Sequence, residues 1–192
     1  QVTKQKIRAE MHKSAVAHLS IPKLVAVSKQ QPDHKVDQSI LAGHRVFGEN
    51  RVQEAKQRWE SRKVKHPDLE LHLIGPLQTN KVADAVALFD VIEVVDREKL
   101  AKILAAEMRR QDRHLPCLVQ VNTGEEPQKS GVMPSEVDEF IHFCQEDCSL
   151  DIVGLMCIPP ADEESVIHFA LLREMAKRNK LSELSMGMSS DF

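Results

Sequence analysis

Residues 23–29 read KLVAVSK: four apolar residues between two lysines, with a serine just before the second. A run that is apolar on both of its alternating faces suits a strand buried on both sides, as in a parallel sheet. The lysine at its end raises the question, because an ammonium leaves water only at a cost of several kcal/mol unless it is paired or neutralised. One answer is that the strand has ended and Lys29 points into solvent, which is the simpler reading of this stretch alone. The other is that Lys29 is a nucleophile carried on a rigid element.

Downstream, the same pattern recurs without the sequence repeating. HKVDQSILAGH (34–44) reads as a helix that Gly43 stops, RVFGEN (45–50) as a strand, and RVQEAKQRWESR (51–62) as a helix. LELHLIG (69–75) precedes TNKVADAVALF (79–89), and VIEVVD (91–96) precedes REKLAKILAAEMRRQ (97–111). LPCLVQVN (115–122) leads to a helix over 135–146 with Pro134 near its first turn, and LDIVGLMCI (150–158) to the helix of 163–180. LSEL (181–184) is the seventh β-rich run, and a further helix over 1–19 precedes the first. Apolar strands alternating with amphipathic helices indicate a parallel sheet covered by helices, either an open doubly wound sheet or a (β/α) barrel.

The placement of polar residues separates the two. Ser28 and Lys29, Glu49 and Asn50, Asp96, Asn122 and the Ser185–Ser189 turn all follow strand C-termini. A (β/α) barrel builds its chemistry at that end from several strands, whereas an open sheet concentrates it at one switch point, commonly with a glycine fingerprint. With seven glycines and no G-x-G-x-x-G, the chain points to the barrel and away from a dinucleotide site.

Composition sets the outer bounds. The 192 residues are 42% hydrophobic and 29% charged, enough for one sizeable core and a single domain. A net charge of -3 and the lack of a dense Lys/Arg block argue against nucleic acid and against a membrane surface. No apolar run approaches the ~18 residues of a membrane span, and the start has no signal-peptide apolar core. The first residue is Gln1, so a natural start upstream is expected. Cys117 and Cys157 lie in apolar strand runs as small hydrophobes. Cys144 and Cys148 stand i,i+4 on a helix without a second ligand pair, a weak metal signal. Together they suggest a reducing, cytoplasmic setting.

Lys29 is the only strand-end lysine that directly follows an apolar strand. A lysine amine in a partly desolvated site loses proton affinity and becomes able to form a Schiff base. SMGMSSDF (185–192) places small residues and a glycine after the seventh strand, where backbone N–H groups can face an anion. Barrels often hold phosphate in the loops after strands seven and eight. The plainer reading is a Ser/Gly turn, and without Lys29 it would be preferred. An amine nucleophile with an anion cradle fits an aldehyde that carries a phosphate, as pyridoxal 5′-phosphate (PLP) does.

KLVAVSK, FGENRVQEAK, HLIGPLQTNK, VQVN with EPQKSG, GLMCIPP and LSMGMSSDF occur in that order. In this the chain resembles the PLP homeostasis proteins, from the first strand to the last residue. The resemblance implies one PLP-binding domain over 1–192, a (β/α)8 TIM barrel of the alanine-racemase N-terminal-domain type. It implies that Lys29 carries PLP as a Schiff base, that Asn50 lies beside the ring, and that Ser185, Met186, Gly187 and Ser189 bind the phosphate. Only seven β/α units are counted, so the eighth, which in relatives brings an arginine near the phosphate, is expected to be missing from the sequence as given.

The remaining motif residues have ordinary readings as well. His72 is as well explained by a hydrogen-bonded barrel histidine as by a cofactor contact. Lys81 suits an ion pair or a solvated helix face. Lys129 suits a loop, with a peripheral phosphate role conceivable. Trp59, Phe89 and Phe169 look like helix residues packing on the barrel.

Two classes of function compete. A racemase needs bases on both faces of the α-carbon, and the second base of the alanine racemases that share this barrel is a tyrosine. The chain contains no tyrosine. A carrier that holds PLP and hands it over, with PLP-dependent apo-enzymes as recipients, needs only a reversible Schiff base and an open site. The carrier is therefore expected, as a monomer without catalytic turnover. A Schiff-base aldolase ranks last, since Lys29 lacks an Asp/Glu partner two or three residues away.

Overall fold

The computed structural model describes residues 2–13 and 22–188. After α1 (Val2–Lys13) come β1 (Ala26–Val27), α2 (Asp33–Leu41), β2 (Val46–Glu49), α3 (Val52–Lys65), β3 (Glu70–Leu73) and α4 (Val82–Leu88). Then follow β4 (Val91–Val95), α5 (Glu98–Arg110), β5 (Cys117–Val121), α6 (Val137–His142), β6 (Ile152–Cys157), α7 (Ser165–Arg178) and β7 (Glu183–Ser185).

Local chemistry explains the helices. In α5, Leu100, Ala101, Leu104, Ala105 and Met108 are buried, a stripe at helical spacing that packs on the sheet. Glu98 in its first turn and Arg109 and Arg110 in its last complement the helix dipole. Gly43 ends α2 as its sequence foretells: at φ +85° its N–H reaches the Ile40 carbonyl at 2.9 Å. The expected helix of 135–146 is shorter than its pattern. α6 ends at His142, and Phe143–Asp147 widens into a π turn. The part of the first expected helix beyond Lys13 lies outside the described residues.

All seven strands are parallel, and the sheet order is simply β1 to β7. A doubly wound sheet reverses its order at a switch point, so this one is wound one way, as in a barrel. Alternation along the strands separates two faces. Leu73, Ile92 and Cys117 lie in register, as do Val95, Val119 and Leu155, and all six are fully buried. On this face Phe47 meets Trp59 of α3 with ring centroids 4.7 Å apart, so it is the side that the helices cover.

The opposite face is concave. Ser185 Oγ on β7 donates a hydrogen bond to Glu93 Oε2 on β4. In a flat sheet these strands would stand about 14 Å apart, three steps of roughly 4.8 Å. The sheet must curl to bring them into contact, with Glu93 and Ser185 inside the arc. Among the described residues β1 and β7 each pair on one side only. Val27, in register with Gly48, is consequently 44% exposed, so the strand buried on both faces that its sequence suggests is not realised there. Among the described residues no helix is long and apolar enough to cross a membrane.

Candidate functional site

Lys29 sits in the turn that leaves β1, and Gln30 beside it has φ +59°. The turn is fastened from the helical side. Ser28 is buried; its N–H donates to the Gly48 carbonyl at 3.1 Å and its Oγ–H to Glu49 Oε1 at 2.7 Å. Arg58, on α3, donates from Nη1 to the Ser28 carbonyl at 2.5 Å and to Glu49 Oε1 at 3.2 Å. Its Nη2 reaches the Gln31 carbonyl at 3.0 Å and its Nε reaches Asp33 Oδ1 at 3.1 Å. Trp59 Nε1–H donates to the same Glu49 oxygen at 2.9 Å. Glu49 is fully buried; Arg58 supplies the opposite charge and three donors converge on Oε1, while Oε2 has no hydrogen-bond partner among the described residues.

The carbonyls on either side of Lys29 are thus committed outward, whereas its own side chain is exposed and has no hydrogen-bond or ion-pair partner among the described residues.

Asn50 closes the neighbouring strand. Its Oδ1 is buried without a hydrogen-bond partner among the described residues, a state that native structures seldom leave unexplained. Gly75, after β3, allows the close approach here: a Cβ at 75 would lie 2.4 Å from the Asn50 carbonyl oxygen. At the last strand, Ser185 ends β7, Met186 is exposed, and Gly187 turns at φ +91° with open space where a Cβ would be. Because the strands are parallel, Lys29, Asn50 and the Ser185–Gly187 turn share one edge of the sheet. Lys29 and Asn50 follow the adjacent strands β1 and β2; Ser185 joins the concave interior through Glu93. Ser189 lies outside the described residues.

The interior carries a polar string that crosses three strands. Lys23 Nζ meets Glu70 Oε1 at 3.0 Å, and the same oxygen meets His72 Nε2 at 2.8 Å. His72 Nδ1 pairs with Glu93 Oε1, while Glu93 Oε2 takes the Ser185 hydroxyl. Burial opposes the charged form of His72, but the hydrogen bonds and negative charge of Glu93 and Glu70 outweigh it and hold its pKa above the ordinary value. Glu70 is affected in the opposite sense: burial raises its pKa, and the bonds from Lys23 and His72 bring it below the usual carboxylate range.

His72 is therefore a barrel histidine with both ring nitrogens engaged. Lys129 pairs with Glu126 at 2.5 Å within its own loop. Trp59 and Phe89 are fully buried, and Phe169 packs against the core. Sequence reasoning passed over Glu93 and Arg58. A carboxylate at the centre of VIEVV was a readable signal, since an unpaired one would be costly there. Arg58, amid other charged helix residues, gave none. All four cysteines are free and buried. Burial pushes the thiols of Cys144 and Cys157 up to about 12 and about 11.

The family profile described as "Alanine racemase, N-terminal domain" matches residues 4–192. A pyridoxal phosphate homeostasis protein of Pasteurella multocida is 35% identical over 182 residues, covering 90% of this chain and 78% of the relative. One of Escherichia coli is 36% identical over 182 residues, with coverages of 88% and 76%. Among solved structures, PipY of Synechococcus elongatus with PLP bound is 34% identical at a TM-score of 0.78, covering 95% of this chain and 90% of that one. On this likeness of sequence and of fold, the chain belongs to the family of the pyridoxal phosphate homeostasis proteins, built on the barrel of the alanine racemase N-terminal domain.

Proposed function

We propose that this chain binds PLP at the C-terminal edge of its curled sheet and serves to hold and hand over that cofactor. Lys29 takes the aldehyde carbon as a Schiff base, Asn50 lies beside the ring, and Ser185, Met186 and Gly187, with Ser189, take the phosphate. Bound there, PLP supplies an aldehyde that condenses reversibly with amines and a phosphate that anchors it. One observation carries the reading: the Lys29 side chain has no hydrogen-bond or ion-pair partner among the described residues, while the backbone carbonyls around it are tied down. Such an amine meets a ligand without first breaking an ion pair. The unpartnered Asn50 Oδ1 on the next strand and the open turn at Gly187 fit the rest of the molecule, and a relative 34% identical has been solved with PLP bound.

Holding without turnover follows from the groups at hand. The 192 residues include no tyrosine, and the interior His72 and Glu93 are engaged with each other. A positioned acid–base group contributes roughly 10²–10⁴-fold to a proton transfer, and none beyond Lys29 is free here among the residues assigned to the site. The reading includes one barrel domain over 1–192, acting as a monomer, with PLP-dependent apo-enzymes as recipients in the cytoplasm, where free thiols stay reduced.

The test is direct. Protein incubated with PLP should develop the visible absorbance of a Schiff base, and borohydride should fix the label on the peptide containing Lys29. Unchanged absorbance in Lys29→Ala, with the label elsewhere, would refute the assignment. Interconversion of L- and D-alanine at enzymic rates would refute holding without turnover.

A further inference from the structure

The proton of the Ser185 hydroxyl is already committed. A serine hydroxyl has one hydrogen to donate, and Ser185 gives it to Glu93 Oε2. Glu93 is 2% exposed, so water does little to dissipate its charge. A phosphate dianion held by the turn that Ser185 begins has acceptors only. It cannot share that hydroxyl unless the serine turns away from Glu93, and a carboxylate directly behind the serine opposes a second anion in front of it.

We infer that Glu93 sets how tightly this site holds the phosphate of its ligand, by competing for the Ser185 proton and by placing negative charge behind the turn. The inference rests on the phosphate role proposed above for Ser185–Gly187. Charges from every strand around Glu93 enter the balance. His72 and Glu70 face it from β3, with Lys23 on Glu70. Glu183 stands on the same face of β7 as Ser185, two residues away. The in-register interior positions of β5 and β6, Gln120 and Met156, carry no charge. With His72 protonated, Glu93 has a cation on one oxygen and only its residual field reaches the phosphate. With His72 neutral, nothing offsets it. The hold on phosphate is therefore strongest while His72 keeps its proton. Such an arrangement suits a protein that must release its cofactor, because it limits the contribution of the phosphate while leaving the aldehyde contact with Lys29 untouched.

The experiment compares the affinities of PLP and of pyridoxal, which lacks the phosphate, for the wild-type chain and for Glu93→Gln. Changes at Lys29, and the hemiacetal that free pyridoxal forms, affect neither comparison between the two proteins. Removing one unit charge from beside a phosphate should tighten PLP by about tenfold at the effective dielectric of a protein site, with pyridoxal unchanged. A second measurement needs no variant: in the wild type the preference for PLP over pyridoxal should fall as pH rises from the ordinary imidazole value through the raised pKa of His72, where the ring loses its proton. If the wild type binds PLP no better than pyridoxal, the phosphate role of the turn fails and the inference fails with it. If the wild type prefers PLP but Glu93→Gln leaves that preference unchanged or lowers it, the inference alone is overturned. A preference that stays level or rises over the pH window in the wild type overturns it equally.

Discussion

Replacing Arg58 with leucine removes the cation that fastens the Lys29 turn to α3. The Arg58 side chain is 20% exposed and that of Glu49 is 1% exposed, so their ion pair is mostly shielded from water. The variant strips a donor from each of the Ser28 and Gln31 carbonyls and leaves Glu49 with Ser28 Oγ and Trp59 Nε1 as its donors. Breaking a buried pair from one side costs about 3–5 kcal/mol, because the other charge remains. Two surviving neutral donors and the partial exposure of Arg58 place the expectation at the lower end, about 3 kcal/mol. At roughly 2–4 °C per kcal/mol for a chain of this size, the melting temperature should drop by about 6–12 °C. Urea unfolding followed by far-UV circular dichroism gives the free-energy difference. Adding Glu49→Gln removes the stranded charge yet keeps an acceptor for Trp59 and Ser28, so the double variant should regain about 1–2 kcal/mol over Arg58→Leu. A double variant no more stable than the single, or a single that loses less than about 1 kcal/mol, would refute the view that Arg58 is what makes the buried Glu49 tolerable.

Two further outcomes follow from the interior. The folded pKa of His72 lies above the unfolded value near 6.5, so its contribution to stability is complete below about pH 6.5 and fades as pH rises through the folded pKa. Urea midpoints should fall over that window and His72→Gln should flatten the fall; equal slopes in the two proteins would contradict the assignment. In Gly75→Ala the added Cβ would stand 2.4 Å from the Asn50 carbonyl oxygen and 2.6 Å from its Cα, backbone that cannot swing aside. A loss of roughly 1–3 kcal/mol is expected in thermal melts, and an unchanged melting temperature would show slack between these strand ends.

Much of the architecture was legible because its signals are local. The short apolar runs of LELHLIG and VIEVVD and the helical stripe of α5 are written in neighbouring residues, as is the Gly43 stop. The concentration of Lys29, Asn50 and Ser185 after strands was readable for the same reason. What escaped depends on partners far apart in sequence. Ser185 and Glu93 are 92 residues apart and Arg58 and Ser28 are 30, and no spacing rule links them. The early end of α6 was hidden differently: the sequence through Glu146 keeps a helical pattern, and only the π turn shows where it widens. At β1 the composition promised burial on both faces, but burial there depends on what stands beyond the strand, which its own residues do not encode.

Glu93 works as a tie across a bow. It touches β3 on one side and β7 on the other, strands that a flat sheet would hold roughly 19 Å apart. Any change in curvature that parts those strands must lengthen one of its two contacts, and one of those contacts sets the proton affinity of a buried imidazole. A change in curvature that lengthens the His72 contact must lower the proton affinity of the ring, and by linkage a proton on His72 favours the curvature that keeps that contact short. The imidazole can serve as a built-in strain gauge, since its NMR titration reports on the shape of a sheet whose backbone need not be observed at all.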